Sequence, residues 1–154
     1  MISITYENKI AFRVLGKPIP QSRPRHGKYH DYYDPKIVEY RERVKASALE
    51  ALAHFPNWDR YTEKPLDMYL FIYLPIPASW SKKRQCMANE GLIMPTTKPD
   101  SSNILKGIED ALNGVLYKDD SQIVKTHMVK QYCFNPAVQI ILQEIKAEKV
   151  VENF

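Results

Sequence analysis

Cysteine is scarce in this chain. Cys86 and Cys133 are the only two, and they stand far apart, outside any CxxC spacing. That excludes a disulfide framework and a CxxC metal or redox motif, and makes a reducing cytoplasm the expected setting. Glycine is scarce too, five residues against eleven prolines, so loops should be firm rather than flexible. No run approaches the roughly 20 apolar residues that cross a membrane, and no signal peptide is expected. GxGxxG, P-loop and GxSxG motifs are missing, which argues against a nucleotide cofactor and a serine-hydrolase elbow. His26, His30, His54 and His127 show neither HExxH nor HxH spacing, which weighs against zinc.

What remains is an ordinary globular composition, 44% hydrophobic and 26% charged. A chain of 154 residues fits one domain, expected over 1–154 with its core at about 8–145. The net charge is +4 and the pI about 9.0. The distribution of charge says more than its sum. Nine Lys/Arg and four acids lie between Arg13 and Lys45, and a second basic run, Lys82-Lys83-Arg84, follows Trp80. The segment from Asp100 to Asp120 is acidic. A basic surround with an acidic centre suits phosphodiester chemistry. Lysine and arginine hold backbone phosphates, and carboxylates hold a divalent metal against the scissile one.

Periodicity gives the elements. Residues 8–15 alternate as a strand, and Gly16 to Pro35 reads as an ordered loop. Apolar positions 37, 40, 44, 48, 51 and 52 fit a helix from Lys36 to about Phe55, started by Asp34-Pro35. Leu66 to Leu74 is apolar on both faces, as a central strand is. A short helix is indicated within 79–89. Asp100 to Asn113 forms the next helix, stopped at Asn113-Gly114. Gln122–Phe134 and Ala137–Ile145 are strands joined at Asn135-Pro136, and the charged tail from Lys146 is expected to fray. The order β-α-β-α-β-β implies an α+β fold, one mixed sheet with two helices packed on it.

The helix after Asp100 carries the first chemical signal. At 100° per residue, Asn103, Lys106 and Asp110 fall within about a 60° arc, with Asp100 near the same side. Ile104, Leu105, Ile108, Ala111 and Leu112 are free to face the sheet. Asp100 is either a metal ligand or a plain helix cap, and Lys106 is either catalytic or a surface charge paired with Asp110. Asp119-Asp120 is the second signal. These carboxylates are either turn residues or are delivered by a short loop toward Asp100. Two carboxylates from separate elements suffice for Mg²⁺, which keeps several waters. Lys106 would steady the phosphate or the leaving oxygen.

Two basic segments complete the pattern. Gly16–Arg25 sets Lys17, Arg23 and Arg25 on a proline-stiffened loop, with Tyr29, Tyr32 and Tyr33 following. It reads either as a phosphate-contacting loop or as a solvated one. In Ser79–Arg84, Trp80 is either a core anchor or a side chain beside the path of nucleic acid, next to Lys82, Lys83 and Arg84.

Taken together, "GKPIPQSRPR", "YDPK", "LPIPASWSKKR", "KPDSSNILKGIEDALNG" and "YKDDSQIVK" resemble the RusA family of Holliday-junction resolvases, in order, over roughly residues 12–142. The last two blocks are the specific ones. Family members carry K/R-x-D-x-D-N-x-x-K and then an aspartate pair before Q-[VI]. The resemblance implies a homodimer that nicks four-way DNA junctions symmetrically in recombination and repair, with Mg²⁺ or Mn²⁺. Two-fold symmetry would place two sites for two strands of like polarity. It also implies a phage or prophage setting. By resemblance, Asp100 and Asp120 are catalytic and metal-binding, Lys106 is catalytic, Asp119 is a further ligand, and Asn103 is a supporting position.

One position departs from the pattern. Ser102 stands where the family has a second aspartate, and a hydroxyl is a poorer Mg²⁺ ligand than a carboxylate. Ser102 would act through a bridging water while Asp119 or Asp110 supplies charge, or the site works weakly, or the chain binds junctions without cutting them. Glu109, about 120° around the helix from Asn103, is not expected to substitute.

Overall fold

A computed structural model describes residues 2–150, with side chains described for 4–146. The strand β1 (Ile2–Leu15) is followed by a small ribbon of β2 (Arg25–His26) and β3 (Asp31–Tyr32). Then come α1 (Pro35–His54), β4 (Leu66–Pro75), α2 (Lys82–Asn89), α3 (Ser101–Leu112), a single 3₁₀ turn (Asp120–Gln122), β5 (Ile123–Cys133) and β6 (Ala137–Val150). The fold is α+β. Its main sheet has the order β1-β6-β4-β5 and is mixed: β4 and β5 run parallel, and the other pairs run antiparallel.

Three helices stand where the expected order has two, since the segment indicated within 79–89 is helical from Lys82. Ser81 caps it by accepting from the Arg84 amide at 3.2 Å. The ribbon breaks what the sequence suggested was plain loop. β1 starts earlier than the alternation at 8–15 implies, because a register shift between Tyr6 and Lys9 interrupts the period of two. β6 correspondingly runs to Val150 opposite Ile2, past Ile145. Paired main-chain groups keep Lys146 and its neighbours in the ladder despite their charge. The remainder of the expected frayed tail, 151–154, lies outside the described residues.

β4 is an interior strand, as its apolar character implies. Leu66, Met68, Leu70, Ile72 and Leu74 are buried, whereas Tyr69, Phe71 and Tyr73 on the opposite face are half-buried. The core lies on the first of these faces. It joins Val44, Ala48 and Ala51 of α1, Ile104, Ile108 and Leu112 of α3, and Val138, Ile140 and Leu142 of β6. Full burial of each large side chain contributes roughly 1.5–3 kcal/mol. That fixes the roll of α3 about its axis, and with it the direction of its polar stripe.

Candidate active site

The apolar positions of α3 decide which of its residues reach solvent. Ile104, Gly107, Ile108, Ala111 and Leu112 are buried and Leu105 is half-buried. Asp100, Ser102, Asn103 and Lys106 are therefore exposed on the other side, and Asp110 is half-exposed. Asp100 occupies the N-cap position with extended backbone (φ −69°, ψ 131°), yet its side chain makes no capping hydrogen bond. The capping explanation for Asp100 thus lacks the bond that would support it, and its carboxylate is left exposed.

Asp120 reaches this helix because the chain after Asn113 is tied back to it. Gly114 takes a left-handed φ of 73°. The Tyr117 hydroxyl, on a fully buried ring, donates to the Glu109 carbonyl at 2.9 Å. The Asp120 amide donates to Asn113 Oδ1 at 2.8 Å. Asp119 and Gln122 form a reciprocal capping box, and Gln122 Nε2 also donates to the Thr62 carbonyl at 2.8 Å. Trp58, buried, anchors the same region through the Leu116 carbonyl at 2.9 Å. The loop therefore runs back along the helix. It brings Asp120 Oδ2 to 3.8 Å from Lys106 Nζ.

Lys106 also pairs with Asp110 one turn along, at 3.2 Å. That bond, with the charges of Asp110 and Asp120, raises its pKa above the ordinary lysine value. Glu109 is drawn in as well. Burial and then the charge of Asp120 raise its carboxyl above the usual range. Asp119 holds the turn together. Its side chain accepts from the Ser121 amide at 3.1 Å, and the hydrogen bonds to Ser121 lower its pKa.

Two cavities open along the stripe, one on each side of Gln21 and Ser22. The first, about 400 Å³, is bordered by Lys17, Ile19, Lys98, Asp100 and Asn103. The second, about 410 Å³, is bordered by Arg23, Tyr33, Asn103 and Lys106. The proline-stiffened loop therefore lies against α3. Arg25 is held by Asp34 at 3.5 Å. Lys82, Lys83 and Arg84 are exposed on α2. The Arg84 guanidinium sits 3.8 Å from the centre of the Trp80 ring, and Trp80 packs edge-on against Tyr132. Trp80 thus serves both as a packing anchor and as a platform in the basic run.

The donors near Asp120 and Asp100 are oxygens, the chemistry that suits a hard divalent cation. Among the described residues, no three His, Cys, Asp or Glu side chains gather closely enough to hold a metal together. Asp100, Asp119 and Asp120 are thus not one preassembled group, and Ser102 lies exposed in the first turn of α3. Sequence reasoning missed Gln21, Arg41 and Lys130. Lys130 Nζ donates to the carbonyls of Thr97 (2.8 Å) and Pro99 (3.1 Å), holding the segment that leads into Asp100. A lysine on a strand carries no local sign of such a role.

Comparison with known proteins gives a family and a relative. Residues 16–143 match the family described as endodeoxyribonuclease RusA. The uncharacterized protein YqaN of Bacillus subtilis (strain 168) is 40% identical over 144 residues, spanning 90% of this chain and 98% of the relative.

Proposed function

The chain belongs to the RusA family of endodeoxyribonucleases, and from that premise we propose that it resolves four-way DNA junctions by paired symmetric nicks, acting as a homodimer with Mg²⁺ or Mn²⁺. The observation that carries this reading is the meeting of Lys106 with Asp120, 3.8 Å apart, on the solvent stripe that begins at Asp100. A phosphate drawn there by the basic loop would meet an ammonium and carboxylates on rigid elements, the preorganisation that charge stabilisation requires.

Asp100 and Asp120 would hold the cation, with Asp119 as a weaker contributor and Ser102 acting through water. A bound cation lowers the pKa of its water and offsets negative charge on the phosphate. Lys106 donates to a phosphate oxygen or to the leaving oxygen. Asn103, exposed between the two cavities, would touch the sugar-phosphate chain. Lys17 and Arg23 border those cavities and contact phosphates nearest the cut. Arg25, Lys82, Lys83 and Arg84 contact phosphates further out. Two copies place two such sites on the two strands.

The test is a synthetic four-way junction incubated with the protein and Mg²⁺ or Mn²⁺. Symmetric nicks support the reading, and intact junctions under both metals overturn it. A second reading, a junction-binding protein that does not cut, draws on Ser102 in place of an aspartate and on the lack of a preassembled three-carboxylate group among the described residues. It predicts tight binding without nicks, and nicking gained by Ser102→Asp.

A further inference from the structure

Gln21 lies on no element of regular structure, yet it is among the most fully bonded side chains near the stripe. Its backbone amide donates to the Asn103 carbonyl of α3 at 3.0 Å. Its side-chain Nε2 donates to Asp110 Oδ2 at 2.8 Å. Its Oε1 accepts from Arg41, from Nε at 3.0 Å and from a terminal guanidinium nitrogen. Gly107 forms the floor beneath it: a Cβ there would lie 3.4 Å from Gln21 Cβ, so the loop is seated directly against the helix. Arg41, on α1, also stands 3.6 Å from Asp110 and stacks 4.2 Å from the Tyr33 ring centre. Arg41 and Asp110 are both mostly shielded, with side chains 21% and 26% exposed. Solvent therefore weakens these charge-assisted bonds less than it would at an open surface.

These bonds form one line across three parts of the fold. It runs from Tyr33 and Arg41, through Gln21, to Asp110, Lys106 and Asp120. Asp110 has two carboxylate oxygens. Oδ2 is occupied by Gln21, which leaves Oδ1 to face Lys106. We propose that Gln21 and Arg41 are positioning residues. They fix the rotamer of Asp110, and through it the place of Lys106, while fastening the Arg23 loop to the helix that carries the reacting groups. The inference rests on the nuclease reading. It adds that one shared contact sets both the Arg23 loop beside the cut and the lysine that meets the phosphate, so that disturbing Gln21 misplaces the reacting groups while the phosphate contacts further out keep the junction bound.

The substitution Gln21→Met keeps the bulk over Gly107 and removes all three side-chain hydrogen bonds. It is compared with Asp110→Asn and with the double variant. Single-turnover cleavage of a labelled four-way junction is measured at saturating protein with Mg²⁺, and junction affinity is measured without divalent metal. Gln21→Met is expected to cut about tenfold slower with affinity within about twofold. In the Asp110→Asn background it should add less than about twofold, the non-additivity of residues acting through one contact. A wild-type rate in Gln21→Met, an equal loss of rate and affinity, or effects that simply multiply would overturn the proposal. If the unaltered chain cuts no junction, the nuclease reading fails. The loop contact is then judged by tryptic cutting after Arg25: faster cutting in Gln21→Met supports it, and an unchanged rate rejects it.

Discussion

Lys106 Nζ stands 3.8 Å from Asp120 Oδ2, across the turn that follows α3. The lysine is exposed and on a helix, whereas the aspartate is partly shielded and in a 3₁₀ turn held by Asn113 and Gln122. If Asp120 holds the cation, Asp120→Asn leaves the fold and phosphate contacts intact but removes a charged ligand. Cleavage should fall at least about a hundredfold with junction affinity preserved. Single-turnover cleavage beside a gel-shift titration checks it. An unchanged rate would remove Asp120 from the metal site.

Ser102 lies exposed in the same helix turn as Asn103. Ser102→Asp supplies a carboxylate near Asp100 and should lower the Mg²⁺ concentration giving half-maximal cleavage by about tenfold. A metal titration of cleavage decides this. The same concentration in both proteins would mean that position 102 does not face the cation.

Arg23 borders the Lys106 cavity, while Arg25 is engaged by Asp34. Each lost phosphate contact flattens the dependence of log affinity on log salt by about 0.9. Arg23→Ala should show that change. Arg25→Ala should show less, since its guanidinium is shared with a carboxylate. Junction titrations at several salt concentrations measure both slopes, and an unchanged slope in Arg23→Ala excludes that contact.

Tyr6 donates its hydroxyl proton to Asp67 Oδ2 at 2.8 Å, and Asp67 is fully buried. That hydrogen bond, more than desolvation, raises the phenol above its ordinary value of 10.0. The folded protein thus holds this proton more tightly than the unfolded chain does. The stabilisation is complete below pH 10 and fades as pH rises through the raised value. Tyr6→Phe should lower Tm by several degrees at neutral pH, because a buried carboxylate oxygen loses its donor. The gap between the two proteins should close in the alkaline range, and thermal melts across pH follow it. A constant gap would separate the effect from the phenol's proton.

Glu109 shows the opposite sign. Burial, and next the charge of Asp120, raises its carboxyl above the ordinary 4.5. Ionising it therefore costs stability, and the loss grows as pH rises from 4.5 through the raised value. Glu109→Gln should raise Tm at pH 7 and match the unaltered protein once pH drops below 4.5. Melts at both pH values check this, and a variant less stable at pH 7 would contradict it.

Much of α3 was legible without a structure. Its apolar spacing of three and four residues placed Ile104, Ile108, Ala111 and Leu112 inward, so Asn103, Lys106 and Asp110 had to share the outer stripe. The central position of β4 followed in the same way from apolar residues on both faces. The β1 start was not legible, because the register shift after Tyr6 hides the alternation from any reading that relies on strict period.

The sequence by itself determined the membership in a nuclease family, the α+β class and the polar stripe, because each depends on local pattern or on motif order. Only the tertiary structure decided which groups meet. That Lys106 finds Asp120 and that Gln21 rests on Gly107 and grips Asp110 are contacts between segments distant in the chain. They are set by the burial that fixes the roll of α3, by the hydrogen bonds of Tyr117 and Asn113 that fold the following loop back, and by the bond from the Gln21 amide to the Asn103 carbonyl that seats the loop on the helix. No periodicity records such contacts, since each depends on two segments arriving together.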